Sequence, residues 1–234
     1  MADLDGVAAA ARDLALATGP DADLCEPLVR VLGVSGVAVS TLGEPFGSET
    51  VCASDARAAR LDEIQIDLGE GPCWQALSTR SPVLEPDLGR SGTTAWPAAL
   101  SALRETSTGA VFAFPLVVVG IDVGAVDLYS WNPMTLSDQQ LADAAILSRV
   151  LARQVLHRAL VAAEGVSDET GMSSGVYSRR EVHQATGMVL AQLQITASDA
   201  LLALRGHAFA TGRPVLDVAA DVVGRRLDFS TVTD

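Results

Sequence analysis

The sequence predicts an α+β N-terminal domain, an antiparallel sheet flanked by helices, followed by an all-α three-helix bundle. Three observations carry this expectation. β-Branched runs at Val34–Leu42, Thr50–Ser54, Ala110–Val119 and Val123–Trp131 include a pair too close in sequence for a βαβ crossover, with only Gly120-Ile121-Asp122 between them. Helical patterns gather before and after the strands rather than alternating with them. A Gly- and Ser-rich stretch without apolar periodicity, 164–176, separates residues 1–163 from a segment, 177–234, that reads as helical.

Taken in order, helical stretches near Leu4–Ala17 and Ala22–Leu32 lead into the first two strands. Pro72 and Pro97 suit first helical turns, and the second of these helices ends before Gly109. After the hairpin, Ser137 and Gln140 have capping-box spacing, and the chain from Asp138 to about Ala163 reads as one helix of roughly 40 Å at 1.5 Å per residue. Its seam of Leu141, Ala144, Ser148, Leu151, Val155 and Ala162 fits either a domain-closing helix or a dimer helix. In the C-terminal segment Thr196 and Asp199 cap a second helix, Gly212 stops it, and Pro214 fits the first turn of a third.

Charge is unevenly distributed. Residues 1–164 hold 10 Arg against 21 Asp and Glu, a net of −11, whereas 177–234 hold 6 of each, a net of zero. An acidic domain repels phosphate, so any nucleic-acid contact falls to arginines placed locally in the C-terminal segment. The longest apolar run, Gly109–Ile121, is broken by Pro115 and is too short to span a membrane. The N-terminus carries Asp3 and Asp5 ahead of its first arginine, Arg12, unlike a secretory signal, so a cytoplasmic location is expected. Cys25, Cys52 and Cys73 form no CxxC pair and are expected to be reduced thiols. His157, His183 and His207 occupy no metal-ligand or triad context, so an enzyme is not expected.

The succession Leu68-Gly69-Glu70-Gly71-Pro72-Cys73, Pro82-Val83, Asp87-Leu88, Trp96-Pro97, Phe114-Pro115-Leu116 and Gly124-Ala125-Val126 is similar to the GAF domains of bacterial regulators. The resemblance implies a sensory module receiving a small-molecule or protein signal, with the cofactor, if one exists, unknown. Glu70 and Cys73 are the candidate ligand-binding residues, because Gly69 and Gly71 can turn backbone NH groups toward a ligand at the start of a helix. The plainer reading of that turn is a strand-to-helix connection. Trp74, Trp96 and Trp131 read as packing residues rather than a ligand cage. The closely spaced cysteines of methionine-sulfoxide-reducing GAF enzymes are missing.

Ala185, Gly187, Ala200, Leu204-Arg205, Ala208 and Val218-Ala219 resemble, in order and spacing, the ANTAR family of RNA-binding antiterminators, with Thr186 where lysine is common. The implied function is binding of RNA hairpins by a homodimer in transcription antitermination, with no membrane partner. At 100° per residue, Arg180, His183, Gln184 and Gly187 fall opposite Val182, Val189 and Leu193, with Arg179 at the edge of the same surface. Arginine suits phosphate, and His183 and Gln184 suit unpaired bases. Arg205 is the further candidate, in contact with RNA or in a salt bridge within the bundle, and Arg225-Arg226 suits the C-terminal dipole of the last helix. A DNA-binding helix-turn-helix and a sensory or dimerisation protein without nucleic acid are the alternatives.

Overall fold

The computed structural model describes residues 4–17, 19, 22–165 and 179–231. The chain divides into two compact units, Met1–Ser173 and Ser174–Asp234. The first contains, in order, α1 (Leu4–Leu16), α2 (Glu26–Leu32), β1 (Gly36–Thr41), β2 (Glu49–Ala53), α3 (Ala56–Leu68), α4 (Pro72–Thr79), β3 (Val83–Glu85), α5 (Pro97–Glu105), β4 (Ala110–Val118), β5 (Ile121–Ser130) and α6 (Asp138–Gly165). Its five strands form one sheet in the order β2-β1-β5-β4-β3, antiparallel at every pairing. Of the expected linker, residues 166–176 lie outside the described residues, and 164 and 165 belong to α6.

Strand periodicity sorts the core into two layers. Val37, Val39, Phe112, Phe114, Val126 and Leu128 pack against α1, α2 and α6, whereas Ala38, Val111 and Tyr129 pack against α3 and α5. A sheet covered on both faces has little use for polar alternation, which is why β1 is buried along its whole length. Two elements were not anticipated. The helix α3 buries Asp62, Gln65 and Asp67, and this polar content disguises its apolar spacing. Strand β3 is three residues long and pairs only with β4.

Helix α6 starts at the expected box: the Ser137 amide donates to Gln140 Oε1 at 3.0 Å, and the Gln140 amide donates to Ser137 Oγ at 3.2 Å. Ala144, Ser148, Leu151 and Val155 of its seam are buried against the sheet and α1, so these residues close the domain. Ala162 lies outside the residues whose side chains are described. Ile146, Leu160 and Val161 are exposed on the same helix.

The hairpin is tighter than expected, since Ile121 and Asp122 are already in β5 and pair with Val118 and Val117. Val119 and Gly120 alone make the turn, with φ of 49° and 83°, as a two-residue turn matching the twist of its strands requires. Valine is poorly suited to a left-handed backbone, and Val119 is 97% exposed, so no packing offsets the strain. Val119→Asn is expected to stabilise the protein by about 1 kcal/mol. A urea midpoint that stays put or falls contradicts this.

The cysteine expectation is corrected. Cys25 and Cys52 form a disulfide, and only Cys73 is a free thiol among the described residues. The bond is non-local: Cys52 pairs across with Val39 on the sheet face covered by α2, and Cys25 sits at the N-cap of α2. Spacing along the chain carries no trace of that meeting.

The second unit contains α7 (Arg180–Leu193), α8 (Ala197–Thr211), α9 (Val215–Val223) and a 3₁₀ turn at Phe229–Thr231. Val182, Ala185, Val189, Ala200, Leu204, Ala208, Val215, Val218, Ala219, Val222 and Phe229 form its core. Small residues at these contacts let the helices approach closely. Thr196 caps α8 by accepting from the Asp199 amide, and Gly212 ends it in the left-handed conformation. Pro214 stands one position before the first turn of α9, at its N-cap. Among the described residues no single helix is long and apolar enough to cross a membrane.

Candidate nucleic-acid interface

In the first unit the expected ligand residues are committed to the fold. Glu70 Oε1 accepts from the Ala99 amide at 2.9 Å and so caps the N-terminus of α5 from across the domain. The Gly69–Gly71 turn joins α3 to α4, so it is a helix-to-helix connection rather than the strand-to-helix one expected. A side chain at Gly71 would strike Gln65, whose Oε1 accepts from the Cys73 amide at 2.9 Å. Cys73 itself is fully buried. Burial above all, and then the charges of Asp127 and Asp62, push its thiol well above the usual range, which makes it a poor nucleophile. Of the tryptophans, Trp96 is buried in the α3–α5 layer, Trp74 packs beside Cys73, and Trp131 lies under the Arg57 guanidinium at 3.8 Å.

A polar cluster lies between the sheet and α3. Asp62 accepts from Ser40 Oγ at 2.9 Å and from Thr50 Oγ1 at 2.5 Å, and Gln65 Nε2 donates to Asp127 Oδ2. Asp127 Oδ1 is buried without a partner among the described residues. Burial, reinforced by the Asp62 charge and opposed by the Gln65 hydrogen bond, pushes the Asp127 carboxyl up to about 8. An unfolded aspartate titrates near 3.9, so between these values the folded chain holds a proton that the unfolded chain has lost. This group's contribution to stability is therefore full below about pH 4 and is lost as pH rises through about 8. Asp127→Asn removes the titration. Its urea midpoint should fall less than the wild type's between about pH 5 and about pH 9, and parallel pH profiles would refute the assignment.

The second unit presents a different surface. Val182, Ala185 and Val189 anchor α7 in the bundle, which turns Arg180, His183, Gln184 and Gly187 outward, all four exposed. A Cβ at Gly187 would meet nothing within 4 Å. Glycine inside a helix costs about 1 kcal/mol relative to alanine, and here it leaves the backbone open to close approach. Thr186 is half-buried and turns its hydroxyl back onto the Val182 carbonyl at 2.7 Å, so it offers no outward donor in place of a lysine.

Two expected residues are placed differently. Arg179 is only 5% exposed. It occupies the N-cap with φ −93° and ψ 24°, outside the helix, so the 100° rule does not carry it onto the outer face. Arg205 is half-buried on α8 and is not part of the α7 surface. The terminal arginine pair divides: Arg226 donates to Asp221 Oδ1 at 2.7 Å and Arg213 donates to Asp221 Oδ2 at 2.7 Å. Hydrogen bonds from Arg213 and Arg226 hold the Asp221 carboxyl below its usual range. Arg225 follows the C-terminus of α9, where a dipole partner is expected, in the left-handed conformation with φ 56°.

Two family models match the chain, one in each unit, and together they support a signal-sensing regulator. The chain belongs to the GAF domain family, whose model matches residues 22–153, and the ANTAR domain model matches residues 172–223. The GAF domain of an Acinetobacter phosphoenolpyruvate-protein phosphotransferase is similar in fold, with a TM-score of 0.53 and 11% identity over 69% of this chain and 98% of that one. A bacteriophytochrome of the photosynthetic bacterium R. palustris gives a TM-score of 0.50 and 14% identity over 86% of this chain and 46% of that one. The chain spans 60% of the chromophore-binding domain of the R. palustris bacteriophytochrome, with a TM-score of 0.49 and 15% identity over 64% of this chain. At these identities the likeness concerns the fold alone. No curated protein matches the sequence.

Proposed function

We propose that this protein is a cytoplasmic, signal-responsive regulator that binds structured RNA through the outer face of α7 and acts in transcription antitermination. The observation that carries the reading is the exposed row of Arg180, His183, Gln184 and Gly187 on the first helix of an ANTAR domain. Such a row supplies a phosphate partner, two groups for unpaired base edges, and a bare backbone for close approach. Arg205, half-buried on α8, is assigned a supporting role in this contact. The acidic first unit, net −11 over residues 1–164, repels nucleic acid and leaves the contact to the second.

The first unit receives a small-molecule or protein signal. The region of Glu70 and Cys73 is where we place its effect, since Glu70 ties that turn to the start of α5. The functional form is a homodimer, supported by the exposed Ile146 and Leu160 on α6. Reading of duplex DNA by α9 is disfavoured, because Asp217 is exposed on its first turn and Asp221 holds two of the nearby arginines.

The test is fluorescence anisotropy of the purified full chain with three probes: a hairpin bearing a randomised unpaired loop, a fully paired RNA and a DNA duplex. The hairpin pool should bind most tightly, with affinity falling as salt rises. Equal or absent binding sinks the proposal, and preference for DNA duplex replaces it with a helix-turn-helix reading.

A further inference from the structure

Beyond the α7 row lies a feature that the function above does not use. A cavity of about 360 Å³ is lined by Met188, Ala191, Gln192, Arg225, Leu227 and Asp228. It is continuous with the row: at 100° per residue, Arg180, Gln184, Gly187 and Ala191 fall within about 60° of one another. Arg180 to Ala191 therefore forms a strip of about 16 Å that leads along the helix into the cavity.

The lining is chemically mixed in a specific way. Met188, Ala191 and Leu227 give it apolar walls. Gln192 Oε1 accepts from the Phe229 amide at 3.1 Å, which fixes the side chain and leaves its amide NH₂ as a donor. Asp228 Oδ1 accepts from the Ser230 amide and hydroxyl at 2.9 and 2.7 Å, which leaves its other oxygen as an acceptor. Arg225 has no side-chain hydrogen bond or ion pair among the described residues, in contrast to Arg213 and Arg226. It is also held at φ 56°, a position after a helix where glycine is the usual residue. Glycine would suit that backbone better, and the arginine there is held by no side-chain partner among the described residues.

We infer that this cavity receives one unpaired nucleotide of the RNA strand lying along α7, with the base between Met188, Ala191 and Leu227 and its phosphate on Arg225. Apolar walls accept the faces of a base, and the Gln192 donor and Asp228 acceptor match the edge of an unpaired one. The inference rests on the RNA reading of the α7 face and adds a second, separate anchor to it.

Two variants test it, with a hairpin selected from the randomised-loop pool. Arg225→Gly suits the left-handed backbone, so its urea midpoint should hold or rise. Its affinity for the hairpin should fall about tenfold, with the salt slope reduced by about one. Ala191→Leu fills the cavity on an exposed helical position without changing charge. For the wild type, one abasic position in the loop should cost affinity; for Ala191→Leu, already weakened, that position should cost nothing further. Wild-type affinity and an unchanged abasic profile in both variants overturn the inference, and if Arg180→Ala still weakens binding, the α7 reading survives alone. Failure of the wild-type chain to bind any hairpin removes both.

Discussion

Replacing Gly124 by alanine is expected to destabilise the first unit by about 3 kcal/mol, at the upper end of what overpacking costs. Gly124 faces Thr41 across the β1–β5 pairing and Leu116 across the β4–β5 pairing. A Cβ there would fall inside the van der Waals envelope of the Ser40 carbonyl oxygen and close against the Thr41 Cα. These are backbone atoms of a strand held on both sides, by β2 and by β5, so no side-chain rotation makes room. Relief has to come from separating β1 and β5 at the middle of the sheet. Urea unfolding of the full chain measures it, and a loss below about 1 kcal/mol would show that the strands yield more easily than a packed interior should.

Cys52→Ser is expected to cost about 3.5 kcal/mol, the loop-closure value for a cross-link of this span. The disulfide joins residues 27 apart in sequence and ties the start of α2 to the outermost strand β2, whose residues are all only half-buried. Being an edge strand, β2 is held by pairing with β1, by α3 through the Thr50–Asp62 hydrogen bond, and by this bond. Dithiothreitol should lower the wild-type midpoint by a similar amount and leave Cys52→Ser unmoved. If reductant affects both equally, or neither, the bond is not what holds β2 in place.

Much of the fold was legible because its signals are local. The β-branched runs of β1, β4 and β5, the Ser137–Gln140 box and the Thr196–Asp199 cap each act within a few residues. The failures share the opposite property. The helix α3 hides its period behind Asp62, Gln65 and Asp67, buried polar groups whose partners, such as Ser40 and Asp127, lie on other elements. The disulfide needs the pairing of β2 with β1 before Cys25 and Cys52 can meet.

The candidate interface divides in the same way. Helical geometry alone placed Arg180, His183, Gln184 and Gly187 on one exposed face of α7. It failed for Arg179, one residue outside the helix, and it was silent on Arg225, whose place beside Met188 and Ala191 depends on the packing of α9 against α7. The neutral net charge of the second unit was a weak guide, because ion pairs such as those of Asp221 engage some of its arginines with neighbours in the same unit rather than with solvent. What matters is which arginines remain outward.

The most direct measurement is the affinity of the full chain for a selected loop hairpin, wild type against Arg180→Ala/His183→Ala, at two salt concentrations. These side chains are exposed, so the bundle should keep its stability. The double variant should bind at least tenfold more weakly, with the salt slope reduced by about one for the lost phosphate contact. Equal affinity and equal salt dependence in the two proteins would contradict the assignment of the α7 face to RNA.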